Sequence, residues 1–328
     1  MNWKAVLAIL TCNVVLMSAS YTMLIPFLPM YLINELGVTS DNVNMWSGII
    51  FSVTFIVSAV MAPIWGKLSD KKGRKPMAVR AGVGLAITYF ICGIVSSPIQ
   101  LMFARILQGF AAGLWPAELA IMSSYAPKEK LGFCMGVMQG ALTAGGVIGP
   151  LLGGVLASVF GMRVSFFISA GALALITLIT LIFIKEPPRE AKTPEQLALA
   201  KEAEKVNLLK VPMIRRMLEC AVVIQMAILI LQPILTLYVA ELHHSMDNVI
   251  MLSGMVFSLG GFAGAISAPL WGRYGQSHGF FRTMCITLAG TGFILIIQSI
   301  PSTLLHLLFC SLFVVYFMLV YIHQSILF

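Results

Sequence analysis

The chain has 328 residues, of which 59% are hydrophobic and only 10% charged. A soluble domain would carry about a quarter of its residues as charges, so a water-soluble fold is excluded. The formal net charge of +8 could suit nucleic acid, but the cations sit in short segments between long apolar runs, which is membrane topology and not a binding patch.

Apolar runs of about twenty residues, the length of a membrane-crossing helix, recur along nearly the whole chain. The period-two polarity of barrel strands is absent. The expected fold class is therefore an all-α polytopic membrane protein. Lys4, an apolar run and Ser18-Ala19-Ser20 resemble a signal peptide, but apolar character continues through 21–32, which predicts an uncleaved first span. That span, residues 5–33, carries Pro26 and Pro29 near its outer end, where proline kinks a helix and frees backbone groups. The next loop has Glu35 and Asp41 and no cation, so it faces outside.

Span 2 (43–65) descends to a basic stretch at 66–76, Gly-Lys-Leu-Ser-Asp-Lys-Lys-Gly-Arg-Lys-Pro, with five cations in eleven residues. Charges are costly at the bilayer centre and short cationic loops stay in the cytoplasm; this loop is expected there. Gly66 and Gly73 are expected to permit tight turns, and Asp70 can accept from a helix N-terminus, whose dipole favours an anion. Span 3 (77–95), the turn Ser96-Ser97-Pro98, span 4 (99–123), span 5 (132–159) and span 6 (164–184) follow. Residues 185–216 are polar, with eight cations, and read as a cytoplasmic linker. Spans 7 (217–240), 8 (250–271), 9 (281–299) and 10 (303–327) complete the chain, with Glu241, His243, His244 and Asp247 in an outer loop. The segmentation places 19 of the 21 Lys and Arg on one side, leaving Arg105 inside a span and Arg163 on the far side. The N-terminus is expected in the cytoplasm.

Residues 45–66 slid by 206 positions onto 251–272 give ten identities in 22, among them Ser47/Ser253, Gly48/Gly254, Phe51/Phe257, Pro63/Pro269, Trp65/Trp271 and Gly66/Gly272. Two homologous halves follow: an N-terminal six-helix bundle (1–184), the linker, and a second bundle (217–328). Internal repeats of this kind mark transporters whose bundles rock around a midplane site.

Several residues carry candidate chemistry. Arg105 is the one cation placed inside a span, and burying it demands a partner and usually a purpose; Gln108 lies one turn on, on the same face. Glu118 is the one acid clearly within a span. A carboxyl taken out of water favours its protonated form, as a proton carrier requires. Thirteen residues at about 100° each turn it away from Arg105, so a direct pair is not expected, and a snorkelling interfacial acid is the alternative. Span 5 is rich in small residues, Gly145, Gly146, Gly149, Pro150, Gly153 and Gly154, which let helices approach closely. Asn13, Tyr21, Gln108, Gln139, Gln225 and Gln232 are uncharged polar residues within spans, candidates to line a substrate cavity or to bond a neighbouring helix. His306 and His323 stand alone in span 10. The six cysteines are dispersed and read as small apolar residues. No metal set, nucleophile constellation or nucleotide-binding loop is present in the sequence, which argues against an enzyme and against any cofactor.

The chain resembles the major facilitator superfamily, specifically its drug:proton antiporter group and the bacterial multidrug exporters of the fosfomycin/deoxycholate and fluoroquinolone resistance type. The likeness covers about residues 2–300. It rests on the 66–76 stretch, which matches G-x-L-a-D-r-x-G-r-k; on 101–113, Leu-Met-Phe-Ala-Arg-Ile-Leu-Gln-Gly-Phe-Ala-Ala-Gly; on the proline pair of span 1; and on 145–154, which matches g-x-x-x-G-P-x-x-G-G. The resemblance implies two pseudo-symmetric six-helix bundles. It implies a cytoplasmic latch with Asp70 and Arg74 as its polar members, proton coupling through Arg105, and an export direction through the span 5 motif. The second-half copy of the loop has Gln276 where Asp70 lies, so the latch is asymmetric.

The departures are ten spans in place of twelve, with the second bundle incomplete, and a weaker likeness after about residue 300. The eleventh helix, against which Asp70 would latch, is missing from this segmentation, and the end at Phe328 reads as a truncation. The implied function is proton-driven export of amphipathic drugs across the bacterial cytoplasmic membrane. The alternatives are a non-transporting remnant of such an exporter and a metabolite:proton symporter. The expected partners are a small amphipathic drug, protons and the lipid bilayer, with no nucleic acid, and the expected state is a monomer.

Overall fold

A computed structural model describes residues 2–24 and 26–186 and, beyond them, 234–242, 251–259 and 280–298, with single positions at 215, 219, 222, 223, 226, 230, 249 and 274. Every regular element among the described residues is helical. They are α1 (Trp3–Thr22), α2 (Leu28–Asn34), α3 (Ser40–Lys72), α4 (Arg74–Ile94), α5 (Pro98–Ala111), α6 (Leu114–Tyr125), α7 (Leu131–Phe160), α8 (Met162–Phe183) and α9 (Phe280–Gln298). Residues 234–242 and 251–259 are also helical. Five stretches built on α1, α3, α4, α7 and α8 are long and apolar enough to cross a membrane. Predicted span 10 lies outside the described residues, as do most of the 185–216 linker, more than half of span 8 and about half of span 7.

The proline pair acts as expected. The first span divides into α1 and α2 around residues 23–27, with Pro29 in the first turn of α2, where its missing N–H costs nothing. Tyr31 of α2 then fixes the short helix by donating to the Cys92 carbonyl of α4 at 2.8 Å and meeting the Phe166 ring edge-on at 5.0 Å.

The basic stretch departs from the expectation. At about 1.5 Å per residue, the 33 residues of α3 extend about 50 Å, well past a hydrocarbon core of about 30 Å. Gly66 lies inside this helix and makes no turn, because α3 simply continues beyond the apolar layer to Lys72. Lys71 and Lys72 occupy its last turn, where cations suit the dipole. The turn is one residue, Gly73, with φ of 114°, a backbone that side-chain-bearing residues rarely adopt. The end of the bundle that holds Gly73 is called the basic end below.

Helices α1 and α7 pair along their lengths, as do α4 and α8, with α3 against α5. The α1–α7 seam is set by the predicted small-residue run. A Cβ on Gly145 would lie 2.5 Å from the Val15 carbonyl oxygen and 2.6 Å from Ser18 Cβ. Gly149 meets Thr22 and Ala19 in the same way, and Gly153 meets Met23. Pro150 removes a ladder donor within α7, and neighbouring hydroxyls cover α7 carbonyls around it. Ser18 Oγ donates to Leu142 O at 2.7 Å and Ser258 Oγ to Val147 O at 2.7 Å. Gly254 in turn packs on the Pro150 carbonyl, so the run also touches the second half. Exposed apolar rows, such as Ile56, Val60 and Ile64 on α3, suit contact with lipid tails.

This seam predicts a contrast. Gly145→Ala should lower the unfolding free energy by about 1–3 kcal/mol through overpacking. Gly140→Ala, where nothing lies within 4 Å, should be neutral or stabilising. Thermal unfolding of the two purified variants in one detergent checks this.

Candidate functional site

The predicted single span 4 is two helices. Ala111 ends α5, Gly113 takes a left-handed conformation with φ of 115°, and α6 begins at Leu114. Arg80 of α4 covers the carbonyls freed at this break, with Nη1 3.3 Å from Phe110 O and Nη2 2.8 Å from Ala112 O. Its guanidinium stacks 3.8 Å from the Trp65 ring centroid, and Trp65 Nε1 donates to the same Phe110 carbonyl at 2.9 Å. Arg80 is thus a second cation inside a crossing helix, where the sequence reading had only Arg105. The pointer was available: Arg80 falls within predicted span 3, seven residues C-terminal to Gly73.

Arg105 and Glu118 fall on opposite sides of the break. Arg105 is 5% exposed and Nη1 donates to Gln108 Oε1 at 2.9 Å, while its Nε is buried without a partner among the described residues. Tyr21, Tyr31, Tyr89 and Cys92 lie within electrostatic range of it. No carboxylate bonds it among the described residues. Glu118 is wholly buried, and neither of its oxygens has a hydrogen-bond partner among the described residues. It is not a snorkelling interfacial acid. The two do not pair, as expected, but the break contributes to this as well as helical phase.

Two predicted cavity residues are reassigned. Asn13 is 1% exposed and directed at α8, its Nδ2 donating to Thr180 Oγ1 at 2.8 Å. Gln108 is 2% exposed and engaged with Arg105. Packing between helices, invisible in a lone span, turns both inward. Tyr21 is on the exposed face of α1 and Gln139 is half-buried on α7. Gln225 and Gln232 lie outside the described residues, as do Gln276, His306 and His323.

At the basic end a three-helix clasp is present that the sequence reading missed. Glu186, just past α8, caps the N-terminus of α4: Arg74 N donates to its Oε1 at 2.8 Å and Lys75 N to its Oε2 at 2.9 Å. Arg74 Nη1 bonds the end of α6 through Ala120 O and Ser124 Oγ. Lys75 Nζ donates to Leu181 O of α8 at 2.8 Å, and Tyr125 OH to Lys185 O at 2.9 Å. An acid at one helix start and cations at two helix ends all complement the dipoles. Asp70, at the C-terminal turn of α3, is exposed and bonds nothing among the described residues; the nearby helix start is taken by Glu186. The signal was the acid following Lys185, two residues after the last apolar stretch. At the opposite end Arg163 Nε donates to Glu35 Oε2 at 2.8 Å, tying α2 to α8.

The arrangement is a helical bundle whose buried Arg105 and Glu118 meet no opposite charge among the described residues, with helix ends clasped at one side. The family pattern of the Major Facilitator Superfamily matches residues 10–328. The chain belongs to this superfamily. The match runs past residue 300, where the sequence reading had the likeness weaken. Relatives include the multidrug resistance protein MdtG of Proteus mirabilis (strain HI4320), 35% identical over 302 residues, covering 92% of this chain and 74% of the relative. MdtG of Enterobacter lignolyticus (strain SCF1) is 36% identical over 304 residues, covering 92% of this chain and 72% of the relative. Among solved structures, the nucleoside transporter NupG superposes with a TM-score of 0.70 at 15% identity, covering 96% of this chain and 79% of its own. An inward-facing bacterial homologue of the lysosomal transporter Spinster gives 0.69 at 17% identity, with 98% and 74% covered. These superpositions show the fold alone, an all-α bundle, while the family match and the long apolar helices make the chain an integral membrane protein.

The clasp makes a prediction. Glu186→Ala removes the acceptor of two helix-start amides and should cost about 1 kcal/mol, the usual scale of a lost N-cap. Amide exchange at Arg74 and Lys75 should quicken about five-fold, the ratio that about 1 kcal/mol corresponds to, while exchange in α7 stays unchanged. Site-resolved hydrogen exchange reads both.

Proposed function

We propose that the chain is a secondary transporter that exports amphipathic drugs across the bacterial cytoplasmic membrane in exchange for protons. The observation that carries this is the pair Arg105 and Glu118, both buried in one broken span and neither facing an opposite charge among the described residues. An ionisable side chain inside a membrane is expensive and marks an ion or proton pathway by default. The name of the MdtG relatives supports drugs as the cargo. The basic end, with Lys67, Lys71, Lys72 and the N-terminus, faces the cytoplasm by the cation bias of short loops.

In this reading Glu118 carries the proton and Arg105 holds positive charge on the other side of the break. Tyr21, on the exposed face of α1 and in the field of Arg105, contacts the cargo. Two bundles, 1–184 and 217–328 joined by 185–216, rock against each other, with Gly145, Gly149, Pro150, Gly153 and Gly154 at the seam and Gly73, Arg74 and Asp70 at the basic end. A metabolite symporter fits the fold equally, and the span 5 motif favours export over it. The remnant alternative is not favoured, since the superfamily pattern continues to residue 328.

Energised cells carrying the chain should keep a fluorescent amphipathic cation at least several-fold lower than vector controls, and a protonophore should abolish the difference. Glu118→Gln and Arg105→Ala, verified in the membrane, should both raise accumulation to the vector level. Protonophore-insensitive efflux, or full efflux by Glu118→Gln, contradicts the reading.

A further inference from the structure

Hydroxyls of the second half of the chain reach carbonyls of the first. Thr236, on the helix 234–242, donates through Oγ1 to Pro26 O at 2.6 Å. Ser258, on the helix 251–259, donates through Oγ to Val147 O at 2.7 Å. Gly254, one turn before Ser258, lets that helix settle onto α7: a Cβ there would lie 2.5 Å from Pro150 O and 3.5 Å from Gly154 Cα. Thr236 and Ser258 are both buried, and Leu237 and Ala240 beside Thr236 pack on the core of the first half.

These contacts share one end of the molecule. Helices α1 and α7 run side by side in the same direction, since Gly145, Gly149 and Gly153 meet Val15, Ala19 and Met23 in turn. Helix α7 starts at Leu131, just past the clasped end of α6, and Val147 lies about 24 Å along it at about 1.5 Å per residue. Pro26 lies beyond the far end of α1. The bonds of the basic-end clasp, in contrast, all join residues within 74–186. The clasp holds one bundle together, whereas the hydroxyls hold two halves to each other.

The chemistry suits a contact that parts. The Pro26 carbonyl lies between α1 and α2, and no backbone N–H bonds it among the described residues, so its donor must come from elsewhere. Thr236 is that donor when the halves touch, and water takes its place when they separate. A hydroxyl and a carbonyl lose little when each trades the other for water, while parting a desolvated ion pair costs far more.

We propose that Thr236 and Ser258 form the outer gate of this chain, closing its outer mouth onto the Pro26 and Val147 carbonyls, with Gly254 as the seat that brings 251–259 against α7. The structure is closed at the end away from Gly73, and opening there requires both hydroxyls to leave their carbonyls. That a drug departs through this mouth rests on the export reading; the gate itself does not.

Double electron–electron resonance on the full chain in lipid tests this. Spin labels go on unnatural residues at Asp41, in the first turn of α3, and at Glu241, just past Thr236, both exposed. A hydrogen bond of this kind is worth about five-fold in the ratio of closed to open forms. Thr236→Val and Ser258→Ala should each raise the ratio of the longer to the shorter distance about five-fold, and the double variant about twenty-five-fold. Thr236→Ser, which keeps the hydroxyl, should leave the ratio unchanged. So should Ser158→Ala, whose hydroxyl bonds its own helix at the same end of α7. Gly254→Ala pries the seat apart by bulk alone and should raise the ratio with both hydroxyls present, which serves where a hydroxyl variant does not fold. An unchanged distribution in both the double variant and Gly254→Ala, or an equal change in Ser158→Ala, overturns the proposal. A moved distribution in a chain that exports no drug would sink the export reading and leave the gate standing.

Discussion

Inside a bilayer no water reaches a freed carbonyl or a lone charge, and the structure is shaped by how each such group is covered. The break between α5 and α6 leaves carbonyls open at Phe110 and Ala112, and Arg80 and Trp65 close on them. Pro150 lies inside α7, and the Ser18 and Ser258 hydroxyls from neighbouring segments donate to the Leu142 and Val147 carbonyls of that helix. Pro26 cannot donate, and its own carbonyl is met by the Thr236 hydroxyl at 2.6 Å. The rule is not met at Glu118 and Arg105 Nε, nor at single atoms of Thr11, Asn13, Ser47, Arg80, Gln108, Ser169 and Ser253, which are spread over the bundle. Among them Glu118 is the ionisable side chain left without a hydrogen-bond partner at every polar atom among the described residues.

The same rule governs the ends of the helices. Beyond the apolar layer α3 continues as helix, and charge meets dipole at three termini of the basic end: Glu186 at the start of α4, Arg74 at the end of α6, Lys75 at the end of α8. These contacts hold the basic end of the first bundle together without Asp70. Arg74 therefore binds within its own bundle, while Asp70 bonds nothing among the described residues.

Much of this was legible in the sequence, for physical reasons. Apolar length fixed where helices cross, and α4, α7 and α8 fall within a few residues of the predicted spans. Pro26 and Pro29 announced the break of the first span because proline carries its constraint locally. The break at Gly113 was not anticipated, although Pro116, three residues on and in the first turn of α6, carries the same local constraint. Gly66 was read as a turn because charge was taken to end a helix, when it ends only the membrane. From the sequence Asn13 can either line a cavity or bond a neighbouring helix, and the position of α8 decides for the bond to Thr180; the cap at Glu186 likewise depends on a helix more than a hundred residues away. Long-range partners of this sort are beyond a single-sequence reading, whereas chain-local signals are not.

The central claim is that Glu118 holds a proton that export exchanges for the drug. Proton release on drug binding, followed with a pH dye on purified protein in weakly buffered detergent, tests it most directly. The account predicts that a cationic drug releases protons from the unaltered chain and none from Glu118→Gln, which should still bind the drug. Equal release from both would contradict it.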